Sequence, residues 1–302
     1  MPSDALKIDL LGVELKNPVI AASGTFGFGR EYAELFDVKR LGGISGKGLT
    51  LNGSGGNDGV RVYETPSGML NSIGLENPGV RRFVETEAPY MRALGPAVIC
   101  NLGGHSEEEY LEGARLLNDA DIDLLELNIS CPNVKAGGMA FGTDPQTTAG
   151  ITKKIKAVSR HPLVVKLSPN ATDVVAVARA CEDAGADALS LVNTFLGMAI
   201  DVHQRRAVFD NVYAGLSGPA ILPIALRMVH QVCGAVKIPV VGMGGIATAD
   251  DALRYIMAGA SAVAVGCMTF AKPTAMLDII DGLGAYCAEQ NLSNILDVRG
   301  IV

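Results

Sequence analysis

Eight short runs rich in β-branched and other apolar residues alternate along the chain with stretches in which apolar residues recur at helical spacing. Most of these runs end in Gly, Ser, Asn or Lys, which is typical of strands that give way to loops. Strands that alternate with helices form parallel sheets covered by those helices. The runs are Pro18–Ala22, Gly42–Ser45, Ala97–Asn101, Asp123–Asn128, Leu163–Leu167, Ala188–Asn193, Pro239–Gly242 and Ala262–Gly266. Eight such units predict an α/β protein with a (β/α)8 TIM barrel.

The predicted helices carry start signals. Ser106 to Glu109 reads as a capping box, in which the first and fourth residues bond each other's backbone, and Thr248 starts another helix. The segments 184–190 and 258–264 look like one helix-to-strand corner used twice. A faint repeat suits a barrel built from like units.

Domain organisation follows from length and continuity. The chain has 302 residues, 48% of them hydrophobic and 19% charged, and no low-complexity linker divides it. We therefore expect one domain over residues 1–302. Six glycines in Gly46–Gly59 predict a mobile loop before a hairpin at Val60–Glu64. This insert and another at Asn193–Pro219 should lie at the C-terminal mouth of the barrel, where such folds keep their chemistry.

Charge and cysteine content exclude several function classes. The net charge of −7, with scattered basic residues, disfavours nucleic-acid binding. The N-terminus shows no targeting signal and no apolar run is long enough to span a membrane, so a cytoplasmic protein is expected. Six widely spaced cysteines, without a Cys-x-x-Cys pair, predict reduced thiols and neither a metal site nor an iron–sulfur cluster in this chain.

Polar side chains stand at or just after six of the predicted strands. They are Ser23, Lys47, Asn101, Asn128, Lys166 and Asn193. Any one of them could simply form a turn or face solvent. Because the C-terminal ends of barrel strands meet at one rim, their convergence favours a ligand site.

Glycines follow the last two predicted strands, in Gly242–Gly245 and at Gly266 before Cys267. Barrels commonly bind phosphate there on backbone N–H groups. The alternative is that these glycines only permit tight turns. The spacing in Gly24–Gly29 does not match a dinucleotide fingerprint, and Lys47 is not in a P-loop. A redox enzyme with this sequence is therefore more plausibly a flavoprotein.

Cys131 is the reactive candidate among the cysteines. It follows the fourth strand in the segment 128–133, on a loop that continues towards Asp144 and could close over a substrate. A thiol that ordinarily titrates near 8.5 needs only a modest shift to act as a base or nucleophile. The other cysteines mostly occupy apolar contexts that favour packing. The four histidines form no metal-spaced cluster, and we assign them no catalysis.

Five segments resemble those of class 1 dihydroorotate dehydrogenases: 45–48 (SGKG), 71–79 (NSIGLENPG), 128–133 (NISCPN), 165–170 (VKLSPN) and 242–246 (GMGGI). The resemblance covers nearly the whole chain. Within that class the chain looks most similar to the NAD-linked type, class 1B, through 24–29 (GTFGFG), 64–71 (ETPSGMLN) and 140–145 (AFGTDP).

The resemblance implies an FMN enzyme in which Cys131 removes a proton from C5 of dihydroorotate while a hydride leaves C6 for the flavin. The implied substrate-binding residues are Lys47, Asn71, Ile73, Gly74, Leu75, Asn128, Asn133, Asn193 and Thr194. The implied cofactor-binding residues are Ala22, Ser23, Gly24, Lys47, Gly48, Asn101, Asn128, Lys166, Val192, Ser217, Gly218, Gly244, Gly245, Gly266 and Cys267. Cys267 and Met268 depart from the family pattern, where threonine and a small residue are expected.

The resemblance also implies partners. In class 1B a separate subunit with FAD and a [2Fe–2S] cluster passes electrons to NAD⁺, and a homodimer of the catalytic chain forms the core of a heterotetramer. The class 1A enzyme, a homodimer that uses fumarate, has the same FMN site and base. A dihydropyrimidine dehydrogenase-like enzyme would instead act on uracil-type substrates without a carboxylate.

A different class of function is a redox-silent barrel. An isomerase or lyase could use Lys47 or Lys166 as a base or Schiff-base nucleophile on a phosphorylated substrate. Such a protein would be colourless when purified. Colour and bleaching by dihydroorotate therefore separate it from the flavoenzyme.

Overall fold

A closed barrel of eight parallel strands forms the centre of the molecule, as seen in a computed structural model that describes residues 4–129 and 142–302. The strands follow one another round the barrel in chain order. They are β1 (Val19–Ala21), β2 (Gly43–Ser45), β3 (Ala97–Leu102), β4 (Leu124–Asn128), β5 (Leu163–Lys166), β6 (Ala188–Leu191), β7 (Val240–Met243) and β8 (Ala262–Val265). All eight predicted strands are confirmed, and with them the (β/α)8 fold.

Helices separate the strands and bury their apolar sides against the barrel. The longer helices after β3 to β8 are Glu107–Leu117, Pro145–Val158, Val174–Asp183, Leu222–Cys233, Ala249–Met257 and Ala275–Glu289. Shorter helices are Arg30–Ala33, Val80–Arg82, Ala88–Leu94 and Met268–Ala271, with a π-helical turn at Phe83–Glu87. Single 3₁₀ turns are Asp4–Leu6, Val38–Arg40, Pro219–Ile221 and Ile295–Val298. Among the described residues, no helix has the length and apolar character needed to cross a bilayer.

The two predicted helix caps differ in outcome. Thr248 and Asp251 form the reciprocal capping box. At the other helix the Ser106 hydroxyl accepts from the backbone N–H of Glu109. The prediction of a full box there is wrong, because the Glu109 carboxylate accepts instead from the backbone N–H of His105, at 2.8 Å.

The repeated corner is confirmed at Gly185 and Gly259. Each follows a helix with a positive φ, of 95° and 110° respectively. Glycine adopts this left-handed conformation without steric cost, which lets the chain leave the helix and enter the next strand.

A four-stranded antiparallel sheet, the mouth sheet, stands over the C-terminal ends of the barrel strands. Its order is Phe195–Met198, Tyr213–Ser217, Gly68–Asn71 and Val62–Thr65. The last two strands form the predicted hairpin, shifted towards the C-terminus. The two inserts therefore meet in one sheet, in which Asn71 pairs with Gly215. A smaller pair of strands, Ile200–Asp201 and Arg206–Ala207, extends the second insert.

The opposite, N-terminal end of the barrel is closed by a hairpin of strands Ile8–Leu10 and Val13–Leu15. Leu10 lines an interior cavity of about 20 Å³ together with the barrel residues Ile20, Val164 and Glu126. The barrel is thus a packed core whose open end faces the mouth sheet.

The glycine-rich segment 46–59, predicted as a mobile loop, packs against the barrel in its first part, whereas Asn52, Gly55, Asp58 and Gly59 are exposed. Leu49 forms a bridge with Leu102 at the end of β3, and Ser54 forms one with Asn77. Leu49 and Thr50 are buried. Gly53 and Gly56 allow close backbone approach, since added Cβ atoms would lie 3.0 Å from the Asn77 carbonyl oxygen and 2.5 Å from that of Ile73.

Candidate functional site

A cavity of about 210 Å³ opens between the mouth sheet and the C-terminal ends of the barrel strands. Twenty of the predicted site residues line it: Ala22, Ser23, Gly24, Lys47, Gly48, Asn71, Ile73, Gly74, Leu75, Asn128, Lys166, Val192, Asn193, Thr194, Ser217, Gly218, Gly244, Gly245, Gly266 and Cys267. Asn101 is fully buried and stands behind this lining. Cys131 and Asn133 lie outside the described residues, as does most of the loop that leads to Asp144.

The described lining carries positive charge. Lys47 and Lys166 belong to it, whereas no Asp or Glu does among the described residues. Lys166 is 4% exposed, so its ammonium acts where water screens little. The cavity therefore favours anionic ligands such as phosphates and carboxylates.

Asn128 is held at the cavity from behind. Its carbonyl oxygen accepts a 2.8 Å hydrogen bond from the buried Tyr110 hydroxyl. Its side-chain Nδ2 donates to Oδ1 of Asn101 at 3.1 Å. Direct contact between Asn101 and a cofactor stays a prediction, and the geometry favours an indirect role in which Asn101 orients Asn128.

The carboxylate of Glu126 supports Asn101 in turn. Asn101 Nδ2 donates to it at 2.6 Å, and the hydroxyls of Ser45 and Ser190 donate at 2.9 and 2.7 Å. Burial alone would raise the pKa of Glu126, but the positive charge of Lys166 and these hydrogen bonds outweigh burial and hold it below its ordinary value. Glu126 is therefore a buried anion beneath the site.

The turn at Ile73–Leu75 supplies one wall of the cavity and has left-handed backbone at Gly74 and Leu75. Asn77 fixes it, since its Nδ2 donates to the Leu75 carbonyl at 2.6 Å. The same side chain bonds the backbone N–H and hydroxyl of Thr50, at 3.0 Å each. The turn is thereby tied to the packed glycine-rich segment.

The second wall includes Asn193 and Thr194, which follow β6. Asn193 Oδ1 accepts from the backbone N–H of Thr194 at 2.8 Å. Asn170 holds the other side of Thr194, since its Nδ2 donates to the Thr194 carbonyl oxygen at 3.1 Å. On the mouth sheet, Asn71 Nδ2 donates to the Gly215 carbonyl at 3.1 Å. Amide side chains thus face the cavity from both the barrel and the mouth sheet.

The glycines after β7 and β8 differ in what requires them. Gly244 and Gly245 have positive φ, and added Cβ atoms would lie 2.6 Å from Ala225 and 2.8 Å from Leu222. Backbone conformation and packing therefore suffice to require glycine at both positions, and phosphate binding there stays a prediction. At Gly266 an added Cβ would meet only Ala22 and Thr25, at 3.8 Å. Because Gly266 lines the cavity, its missing side chain leaves the backbone open to a ligand. With the two lysines, this fits an anionic cofactor such as FMN.

The five described cysteines are free thiols, as predicted. Burial raises the pKa of Cys181 to about 12 and that of Cys233 to about 11. Burial also raises the pKa of Cys267, against a hydrogen bond from Ser217 that lowers it. These shifts favour unreactive thiols. Among the described lining residues there is no histidine.

Sequence reasoning missed Glu126, Asn77 and Asn170. Glu126 lies inside a predicted strand between leucines, and a single acidic residue there reads as solvent-facing. The two asparagines lie in loops, where the usual interpretation is turn formation. The sequence pattern that indicated the site was the set of polar residues at the ends of the strands.

Comparison with known proteins finds a match to the family model "Dihydroorotate dehydrogenase" over residues 5–286. Three relatives share the name dihydroorotate dehydrogenase B (NAD(+)), catalytic subunit. The protein from Alkaliphilus metalliredigens is 52% identical over 295 residues, 98% of each chain. That from Petrotoga mobilis is 51% identical over 98% of this chain and 99% of its own. That from Brachyspira hyodysenteriae is 52% identical over 98% of each chain.

Proposed function

The chain belongs to the dihydroorotate dehydrogenase family, and from this premise we propose that it oxidises (S)-dihydroorotate to orotate in pyrimidine biosynthesis. The observation that carries the proposal is the cavity lined by Lys47, Lys166 and several asparagines, without a described carboxylate. It matches a substrate with an imide-like ring and a carboxylate, since amides satisfy both ring donors and ring acceptors. FMN would supply the hydride acceptor.

The proposed substrate residues divide by position. Asn71 of the mouth sheet and Asn128 and Asn193 of the barrel rim would bond the ring and carboxylate, with Thr194 and the turn Ile73–Leu75 beside them. Asn133 would join them, and Cys131 would take the proton from C5; both lie outside the described residues. Leaving one ring group unpaired should cost about 1 to 3 kcal/mol.

Other lining residues would bind the cofactor. Segment 22–24 and Lys166 would line the flavin ring and ribityl chain, and Lys47 would lie between orotate and FMN. Gly48 and Asn128 would also contact the cofactor. The positive charge of Lys166 would offset negative charge that arrives with the hydride. The ribityl and phosphate end would be completed by Ser217, Gly218, Gly244, Gly245, Gly266 and Cys267, and Val192 would also contact the cofactor.

The name of the relatives, catalytic subunit of an NAD(+) enzyme, supports a partner subunit for this chain. We propose that this partner carries FAD and a [2Fe–2S] cluster and passes electrons to NAD⁺, within a heterotetramer built on a catalytic homodimer. Apolar side chains of the second insert support a protein contact, since Leu196, Met198 and Tyr213 are 46%, 45% and 54% exposed. The cytoplasmic location stays a prediction.

The test of the reaction is an absorption spectrum of the purified chain, followed by anaerobic addition of dihydroorotate and, separately, of NADH. We expect a flavin spectrum that dihydroorotate bleaches and NADH alone does not. Reoxidation of the reduced chain by fumarate would instead favour class 1A. A Cys131→Ala variant should bind FMN and orotate yet lose nearly all flavin reduction. A chain that stays inert after FMN is supplied would overturn the proposal.

A further inference from the structure

Glu126 lies on β4 inside the barrel, beneath the candidate site, and is 4% exposed. Asn128 is two residues further along the same strand, about 7 Å nearer the mouth at the usual strand rise. Barrel interiors are filled mainly by branched apolar residues. Burying a carboxylate is costly, and an apolar side chain in its place is often at least as stable. A role other than stability is therefore indicated for Glu126.

The hydrogen bonds of Glu126 come from three other strands. Ser45 in β2 and Ser190 in β6 each lie two strands away round the barrel, on opposite sides. Asn101 comes from the neighbouring strand β3 and is paired with Glu126 in register. Held from three directions, the carboxylate has a fixed position.

The carboxylate also fixes which way two amides point. An ionised carboxylate only accepts hydrogen bonds, so Asn101 must turn its Nδ2 towards Glu126. Its Oδ1 then faces Asn128 and accepts from Asn128 Nδ2 at 3.1 Å. Through Asn101, Glu126 therefore determines which side of the Asn128 amide faces a ligand in the cavity.

The same carboxylate acts on the charge of the site. Lys166 is paired in register with Asn128 and lines the cavity, and it interacts electrostatically with Glu126. In the barrel interior such an interaction is weakly screened. Glu126 therefore offsets part of the positive charge that the cavity presents.

We infer that Glu126 is a positioning residue: it orients the Asn101–Asn128 amide pair towards substrate and reduces the positive charge that Lys166 presents to the cofactor. The inference rests on the proposed function, in which Asn128 meets orotate and Lys166 meets the flavin.

The test compares FMN-loaded wild type with Glu126→Gln in two measurements at one pH. A glutamine can donate as well as accept, so the amide orientation is no longer fixed, and the dissociation constant of orotate should rise roughly tenfold. Loss of the negative charge should favour the reduced flavin. When each protein is equilibrated with a reference dye, the ratio of reduced to oxidised flavin should therefore be roughly tenfold or more higher in Glu126→Gln than in wild type. Ser190→Ala removes a bond to the same carboxylate but keeps its charge, so its ratio should stay within about twofold of wild type.

Asn101→Ala tests the orienting role alone. It keeps the charge of Glu126 but removes the link to Asn128, so the dissociation constant of orotate should rise. Unchanged orotate affinity in Asn101→Ala overturns the orienting role, even where Glu126→Gln does not fold. An unchanged flavin ratio in folded Glu126→Gln overturns the charge role. Wild type that dihydroorotate does not reduce marks failure of the proposed function instead, because that control contains an intact Glu126.

Discussion

The hydroxyl of Tyr255 donates a 2.7 Å hydrogen bond to the carbonyl oxygen of Gly244. Tyr255 lies on the helix Ala249–Met257 and is fully buried, whereas Gly244 begins the turn after β7 and lines the cavity. The bond therefore ties a helix outside the barrel to a backbone position in the candidate cofactor site.

Tyr255→Phe should lower the free energy of unfolding by about 1 to 2 kcal/mol, because the Gly244 carbonyl loses its partner. FMN affinity should fall as well, since the turn is no longer held. Denaturant unfolding of the FMN-free chain and FMN titration measure the two effects. Tyr213→Phe, at an exposed side chain, is the matched control and should change neither. Unaltered FMN binding in folded Tyr255→Phe would show that this turn does not depend on the helix.

Gly244→Ala and Gly266→Ala should fail in different ways. At Gly244 the positive φ and the 2.6 Å approach to Ala225 predict a loss of about 1 to 3 kcal/mol in the free energy of unfolding. At Gly266 the added methyl group meets ordinary contacts, so stability should stay within about 0.5 kcal/mol.

The Gly266→Ala variant should nevertheless bind FMN more weakly, because its methyl group enters the cavity. Thermal unfolding without FMN and FMN titration, run on both variants, provide the comparison. Wild-type FMN affinity in Gly266→Ala would place the phosphate elsewhere in the cavity.

How far the sequence reveals this structure depends on how local each signal is. The barrel strands were readable because strands of a parallel sheet, buried on both faces, are continuous apolar runs. The mouth sheet could not be read from the sequence, because Asn71 and Gly215 are paired across 144 residues and no local pattern shows which strand pairs with which. The polar residues at the strand ends predicted a ligand site at the C-terminal rim of the barrel. The support of Asn128 by Asn101 and Glu126 depends on side chains of separate strands that meet only in the closed barrel.

Glu126 should make stability depend on pH in a defined window. Its pKa is lower in the folded chain than its ordinary value, so the folded state favours the ionised form. That contribution is present above the ordinary pKa of about 4.3 and is lost as the pH falls from there through the lower folded value. Urea unfolding at a series of pH values should show this loss in wild type and a smaller acid dependence in Glu126→Gln. Identical acid dependence in both would mean that Glu126 does not titrate as described.

Asn77→Ala should damage substrate binding through the turn Ile73–Leu75. The variant loses the bonds to Leu75 and Thr50, and the free energy of unfolding should fall by about 2 kcal/mol or more. Because the freed turn forms one wall of the cavity, the dissociation constant of orotate should rise, as measured by titration of the FMN-loaded protein. Asn118→Ala is the matched control, since Asn118 bonds the Val158 carbonyl and the backbone N–H of Arg160, both at 2.8 Å, and does not line the cavity. It should lose stability yet keep its orotate affinity. If both variants lose orotate affinity equally, general destabilisation explains the loss, and Asn77 does not specifically support the site.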